Sequence, residues 1–249
     1  MSDAYPLVFT LGALAGLVWL LASGRRTHPG TRAPDGAPVA TELVSAALAT
    51  LAAGLLGARL AFVAAHARYF GGHPSETVAV WLGGLSWAGG AAGAGIGLGV
   101  YALLSRQDGW RLADRMILPA TGLACAAWLG CLLDGWAYGL PLATGWGAVP
   151  APGLLADPVR RWPTQWLGVL ASLATLALLI WLAPRVRRPG VLAATGLILI
   201  SAASLALSLV RADPVPLVRG MRLEAVGSAV LVVTGLAVLL IRALPTRWS

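Results

Sequence analysis

The chain has 249 residues, of which 58% are hydrophobic and only 11% charged, and its mean hydropathy is +0.78. A water-soluble domain carries about 25% charged residues, so this composition excludes a soluble enzyme and leaves an integral membrane protein. The formal net charge of +8 comes from arginine alone, and the arginines flank apolar runs; that placement argues against nucleic acid and for topology signals and anionic headgroups.

Apolar periodicity and length predict seven spans. They cover Pro6–Ser23, Glu42–Ala65, Val78–Leu104, Met116–Leu133, Pro163–Leu182, Val191–Val210 and Leu223–Ile241, so residues 1–249 read as one all-α seven-span membrane domain. Positive charge follows the first span at Arg25 and Arg26 instead of preceding it, the reverse of a cleavable signal peptide. The second span carries Arg59 within Leu56-Gly-Ala-Arg-Leu60. An ionisable side chain at membrane depth is costly, so it reads as a functional residue, or as one that snorkels to the headgroups.

The third span holds the glycine run Gly83–Gly99. Glycine costs a soluble helix about 1 kcal/mol relative to alanine. In lipid it lets helices approach closely, so the run predicts tight packing around a cavity. The fourth span ends in Trp128-Leu-Gly-Cys-Leu-Leu-Asp-Gly-Trp-Ala-Tyr-Gly139, with Asp134 placed to pair with Arg59. Cys125 and Cys131 lie on different faces of this span, which argues against a disulfide between them, and neither belongs to a metal-ligand cluster.

The connector Asp134–Trp162 is rich in Gly, Pro and Trp; its Trp136, Trp146 and Trp162 suit either function or interfacial anchoring. The fifth span opens with Trp162-Pro-Thr-Gln165, the sixth closes at Arg211 before Asp213-Pro214, and the seventh opens with Glu224. The connectors after spans one, three and five, with the C-terminal tail, hold eleven arginines; the opposite side holds six, at 68, 160, 161, 211, 219 and 222. The positive-inside rule then places the N-terminus outside and the C-terminus in the cytoplasm. Five of the six outer arginines lie at the ends of spans five to seven. They suit either ordinary headgroup contact or a recess for an anionic phosphate.

The ordered motifs resemble those of the prolipoprotein diacylglyceryl transferase family. Ala4-Tyr-Pro-Leu7 is similar to its Trp-Tyr-Gly-Leu opening, and Leu56-Gly-Ala-Arg-Leu60 to its Gly-Ala-Arg-Leu/Ile-Gly-Tyr. Gly83-Gly-Leu-Ser-Trp-Ala-Gly-Gly90 resembles Gly-Gly-Leu-Ser-Phe-His-Gly-Gly, and Gly130–Gly139 resembles Gly-Asn-Phe-Ile-Asn-Gly-Glu-x-Tyr/Trp-Gly. Trp162-Pro-Thr-Gln165 resembles His-Pro-Thr/Ser-Gln, and Val210-Arg-Ala-Asp-Pro214 the Phe-Arg-x-Pro-Asp ending of the sixth span.

The resemblance implies a seven-span enzyme of the bacterial cytoplasmic (inner) membrane, acting in lipoprotein biosynthesis. It would move the diacylglyceryl group of phosphatidylglycerol onto a lipobox cysteine thiol of a preprolipoprotein, with no cofactor, metal or nucleic acid. Carried onto this chain, it implies Arg59, Asp134, Gly139, Gln165 and Arg211 as lipid- or phosphate-binding residues and Tyr5 and Tyr138 as catalytic candidates. The departures are pointed. Ala88 stands at the family's histidine, Trp128 at one essential arginine, and a residue near Ser204 at the other. Cys131, Trp136 and Trp162 replace an asparagine, a glutamate and a histidine. They motivate an alternative, a catalytically inactive relative that binds lipid (phosphatidylglycerol or another anionic phospholipid) or serves as a membrane-complex subunit. A small-solute transporter fits less well, because the sequence carries no paired interrupted spans.

Overall fold

A computed structural model describes residues 4–27, 39–80, 83–142, 147, 159–218 and 220–243. His28, Arg32, Trp146, Pro150, Pro152, Arg219 and Arg247 lie outside the described residues. The helices are α1 (Ala4–Thr27), α2 (Val39–Ala65), α3 (Ala67–Gly72), α4 (Trp87–Leu104), α5 (Gly109–Asp134), α6 (Thr164–Leu182), α7 (Val191–Ser208) and α8 (Leu223–Ala243). A 3-10 turn covers Pro74–Val78, and a two-residue hairpin pairs β1 (Leu217–Val218) with β2 (Met221–Arg222). All the α-helices except α3 are long and apolar enough to cross a membrane, seven among the described residues, matching the seven predicted spans. Their outward faces carry bare leucines such as Leu56, Leu103 and Leu104, as lipid-facing surfaces should.

Two boundaries differ most from the sequence expectation. The third span begins at Trp87 and not at Val78. Pro74 opens a separate 3-10 turn, and Gly83 and Gly84 take φ values of +83° and +75°, which no right-handed helix allows. Ser86 then caps α4 by accepting from the Gly89 amide at 3.3 Å. The fourth span starts earlier than Met116, at Gly109, because Asp108 caps it through the amides of Trp110 and Arg111.

The glycine run packs against α2. A Cβ on Gly93 would lie 2.4 Å from the Ala53 carbonyl oxygen, and one on Gly57 would lie 2.5 Å from that of Gly89. Gly97 sits equally tight on the Ala53 methyl. These glycines occupy a helix–helix seam rather than lining a cavity, which corrects the sequence expectation. Gly95 and Gly99 point elsewhere, with open space where a side chain would be.

Helix α5 is the hub, packing on α1, α4, α6 and α7. Gly12 rests on Ala126 and Gly16 on Pro119, so α1 lies close along α5. At the C-terminal end of α1, Leu20, Leu43, Ala46, Leu98, Leu112 and Met116 form a buried apolar cluster. Beside it, buried Glu42 accepts from the Tyr101 hydroxyl at 3.1 Å and from the Gln107 amide. At that same end, Asp114 caps α7 from α5, accepting the Gly190 amide at 2.7 Å and the Ala193 amide at 2.8 Å.

The seam makes a prediction. Gly93→Leu forces α2 and α4 apart and should cost about 1–3 kcal/mol. Thermal unfolding in detergent should show a lowered midpoint for that variant and none for Gly95→Ala, which meets open space.

Candidate functional site

The opposite end of the bundle, where α1 begins, is built from non-helical chain. After α5 the backbone reverses through Gly135 (φ +72°) and Ala137 (φ +57°). It then runs extended from Tyr138 to Leu142, between two other segments. On one side Leu140 donates to the Val210 carbonyl at 2.8 Å, and Ala212 donates to that of Tyr138 at 2.9 Å. On the other, Trp162 donates to the Leu140 carbonyl at 3.0 Å, and Leu142 to that of Arg160 at 2.7 Å. Gly139 therefore pairs with Arg211, and Pro141 with Arg161, across a three-stranded plank. Gly139 is required there: a Cβ would lie 2.4 Å from the Trp162 carbonyl oxygen.

The Pro-Thr-Gln motif holds this plank to α6. Fully buried Thr164 donates its hydroxyl to the Ala137 carbonyl at 2.6 Å, and the Gln165 amide donates to that of Trp136 at 2.9 Å. Tyr5 lies over Gly130, where a Cβ would meet its ring at 2.8 Å. Its backbone amide donates to Asp134 at 3.0 Å. Tyr5, Asp134, Tyr138, Gly139, Gln165 and Arg211, widely separated in sequence, thus come together at one end of the molecule.

The charges there are matched. Arg211 grips Asp213 with two N–H groups, at 2.8 and 2.5 Å, and its third nitrogen lies 2.7 Å from Glu224. That last contact is an ion pair without the alignment of a hydrogen bond. Arg222 donates to the Asp213 carboxylate at 3.0 Å and to the Arg211 carbonyl at 3.2 Å. Burial works against the Arg211 charge, but the Asp213 hydrogen bond and the two carboxylates outweigh it and hold its pKa above the ordinary value. Asp213 and Arg222 carry no weight in a reading of single motif residues; their signal is that Arg211 in a short Arg-Ala-Asp segment needs a counter-charge.

Arg59 belongs to a second cluster. It is buried, and its guanidinium donates to four backbone carbonyls: Thr77 at 2.8 Å, Gly83 at 2.6 Å, Gly84 at 3.1 Å and Glu76 at 2.5 Å. Phe62 and Phe70 flank it at 5.8 and 5.3 Å. Asp134, its expected partner, is engaged by the Tyr5 amide. Ala88 and Trp128 are closely packed. A Cβ on Gly227 of α8 would lie 2.5 Å from the Ala88 methyl, and one on Gly168 of α6 would lie 2.1 Å from the Trp128 ring. Ser204 is half-buried on α7.

A bundle of seven helices, each long and apolar enough to cross a bilayer, defines a multi-pass membrane protein. This chain belongs to the prolipoprotein diacylglyceryl transferase family, whose family model matches residues 3–241. It is 30% identical over 197 residues to the phosphatidylglycerol–prolipoprotein diacylglyceryl transferase of Aromatoleum aromaticum, covering 74% of this chain and 73% of that protein. It is 28% identical over 207 residues to the protein of the same name from Symbiobacterium thermophilum, covering 78% and 75%. With the one from Rhodospirillum centenum it shares 30% over 199 residues, covering 78% and 69%.

Removing the shared carboxylate tests the charge matching. Asp213→Asn leaves two largely buried guanidinium groups against Glu224 alone, and breaking a buried pair in this way costs about 3–5 kcal/mol. Denaturant titration of the purified variant should show that loss, and Asp108→Asn, whose partner Arg111 is mostly exposed, should lose far less.

Proposed function

We propose that this chain performs, at the outer face of a bacterial cytoplasmic membrane, the transfer after which its relatives are named. A cysteine thiolate of a prolipoprotein attacks the glyceryl carbon of phosphatidylglycerol. A carbon–sulfur bond forms, the carbon–oxygen bond to phosphate breaks, and glycerol phosphate leaves with the electron pair. What carries the reading is the family match along residues 3–241, with its ordered motif residues gathered at one end of the bundle.

The arginine asymmetry, eleven against six, supports placing the N-terminus and this site outside and the C-terminus in the cytoplasm. Tyr5 and Tyr138 stand at the site, with Asp134, Gly139 and Arg211 forming its wall. Arg59 and Gln165 act as positioning residues, because their donors are engaged by backbone carbonyls. Phosphatidylglycerol and the prolipoprotein are the two partners.

A second reading has its own support: a lipid-binding relative without catalysis, or a membrane-complex subunit. Trp128 and Ala88 stand where the family motif has an arginine and a histidine, and each is closed against a glycine of a neighbouring helix. A thiol of pKa about 8.5 needs a base at neutral pH, and the departing phosphate needs positive charge.

Complementation separates the two. In cells depleted of their own transferase, expression of this chain should restore diacylglycerol-modified lipoprotein, read by mass spectrometry of a reporter. Correctly inserted protein without rescue would establish the non-catalytic reading. Activity gained by Ala88→His with Trp128→Arg in a silent chain would then trace the loss to those two positions.

A further inference from the structure

We propose that Arg161 is the residue through which this chain contacts a phosphate-bearing anion, beside Tyr138 and Gly139. The proposal rests on the reading of this end of the bundle as a headgroup site.

It follows from accounting for guanidinium donors, five on each arginine. Arg59 has given its donors to four carbonyls. Arg211 is taken by Asp213 and Glu224, and Arg222 by Asp213 and two backbone carbonyls. Asp213 and Glu224 together cancel the charges of Arg211 and Arg222. Arg222 keeps one buried Nε–H without a partner, but its charge is matched. Arg68 and Arg160 are exposed to solvent.

Arg161 differs from all of these. It is half-buried, and among the described residues no carboxylate lies within ion-pair distance of it. Its Nε–H is buried without a partner. Its single described hydrogen bond, from Nη1 to the Gly139 carbonyl, is long at 3.4 Å. A buried donor left unpaired costs about 1–3 kcal/mol, more when charged, so it is a place for a ligand oxygen.

The geometry suits an oxyanion. The guanidinium carbon lies 5.1 Å from the centre of the Tyr138 ring. Contact with an aromatic face holds the guanidinium while leaving its N–H groups free along the edge, where a phosphate is gripped by two parallel hydrogen bonds. Position selects phosphate over other anions. Arg161 lies just ahead of Thr164, the first residue of α6, so it sits where a membrane span meets the lipid phosphates. The plank ties it to the site, because Pro141 pairs with Arg161 and Gly139 with Arg211. Arg161 thus supplies a positive charge that no described carboxylate compensates.

The phosphate can belong to a lipid headgroup or be free in solution, and two measurements on the full-length protein separate these. In nanodiscs of mixed phosphatidylglycerol and phosphatidylcholine, lipid retained after detergent extraction is counted by mass spectrometry. In a zwitterionic detergent, inorganic phosphate is titrated calorimetrically. Wild-type protein should retain phosphatidylglycerol preferentially or bind phosphate, and Arg161→Gln should weaken that by about tenfold or more, as expected for a lost charge-assisted pair. An effect in the lipid arm alone identifies a headgroup, and one in the phosphate arm alone identifies a free anion. Arg68→Gln removes the same charge from an exposed outer position and should change neither.

Arg161→Lys keeps the charge without the fork and should fall between wild type and Arg161→Gln; it carries the test if the glutamine variant does not insert. The proposal is overturned if neither anion is preferred by the wild type, or if both substitutions at 161 bind as the wild type does. Anion binding that depends on Arg161 in a chain that fails complementation overturns the transferase reading alone. Restored lipoprotein with binding indifferent to Arg161 overturns this proposal alone.

Discussion

One constraint governs this molecule: non-helical backbone near the hydrocarbon must have its polar groups satisfied by the protein, because lipid offers none. Two described stretches outside the helices, residues 74–80 with 83–86 and residues 135–142 with 159–163, lie between spans at the end where α1 begins. Several polar side chains around them bond backbone groups. Arg59 closes four carbonyls of the first stretch. Thr164 and Gln165 close two of the second, and Asp134 takes the amide of Tyr5. Residues that look like a site in the sequence are in large part the supports that let irregular chain exist at this depth.

That constraint also orders the charges. A guanidinium engaged by carbonyls or matched by carboxylates has little left for a ligand, whatever its motif. Arg59 and Arg211 are the arginines the motifs select, and both are engaged. The carboxylates of Asp213 and Glu224 make the Arg211–Arg222 pair electrically neutral at close range, so its long-range pull on an anion is weak. Among the described half-buried arginines at this end, Arg161 is neither matched by a carboxylate nor closed by short hydrogen bonds; it belongs to no motif and is found by following hydrogen bonds through the plank.

The seven spans were legible because a run of about 20 apolar residues has few alternatives. The tight glycine seam was legible as packing, but its partner and its purpose were not. A glycine facing α2 and one facing away, such as Gly93 and Gly95, are identical in the sequence and opposite in the fold. The third span was read too long because Val78–Leu82 is apolar. Two positive-φ glycines and a serine cap, short-range features that hydropathy ignores, set its true start. Tyr5, Asp134, Tyr138, Gly139, Gln165 and Arg211 meet at one end because each lies at a span terminus or in a connector on that side. Which of their atoms are already bonded is a matter of tenths of an ångström, and no sequence pattern encodes it.

Ala88 and Trp128 are each seated against a glycine of a neighbouring helix. An alanine or a tryptophan placed in an open polar chamber would leave a void or an apolar intrusion, each costly. Here Ala88 meets Gly227 of α8, and the Trp128 ring covers Gly168 of α6, so each is matched by a residue with no side chain of its own. The helices are fitted to these two residues as closely as α2 is fitted to α4. The seams at Gly227 and Gly168 thus follow the same rule as the one between α2 and α4: where two elements close on each other, one side gives up its side chain.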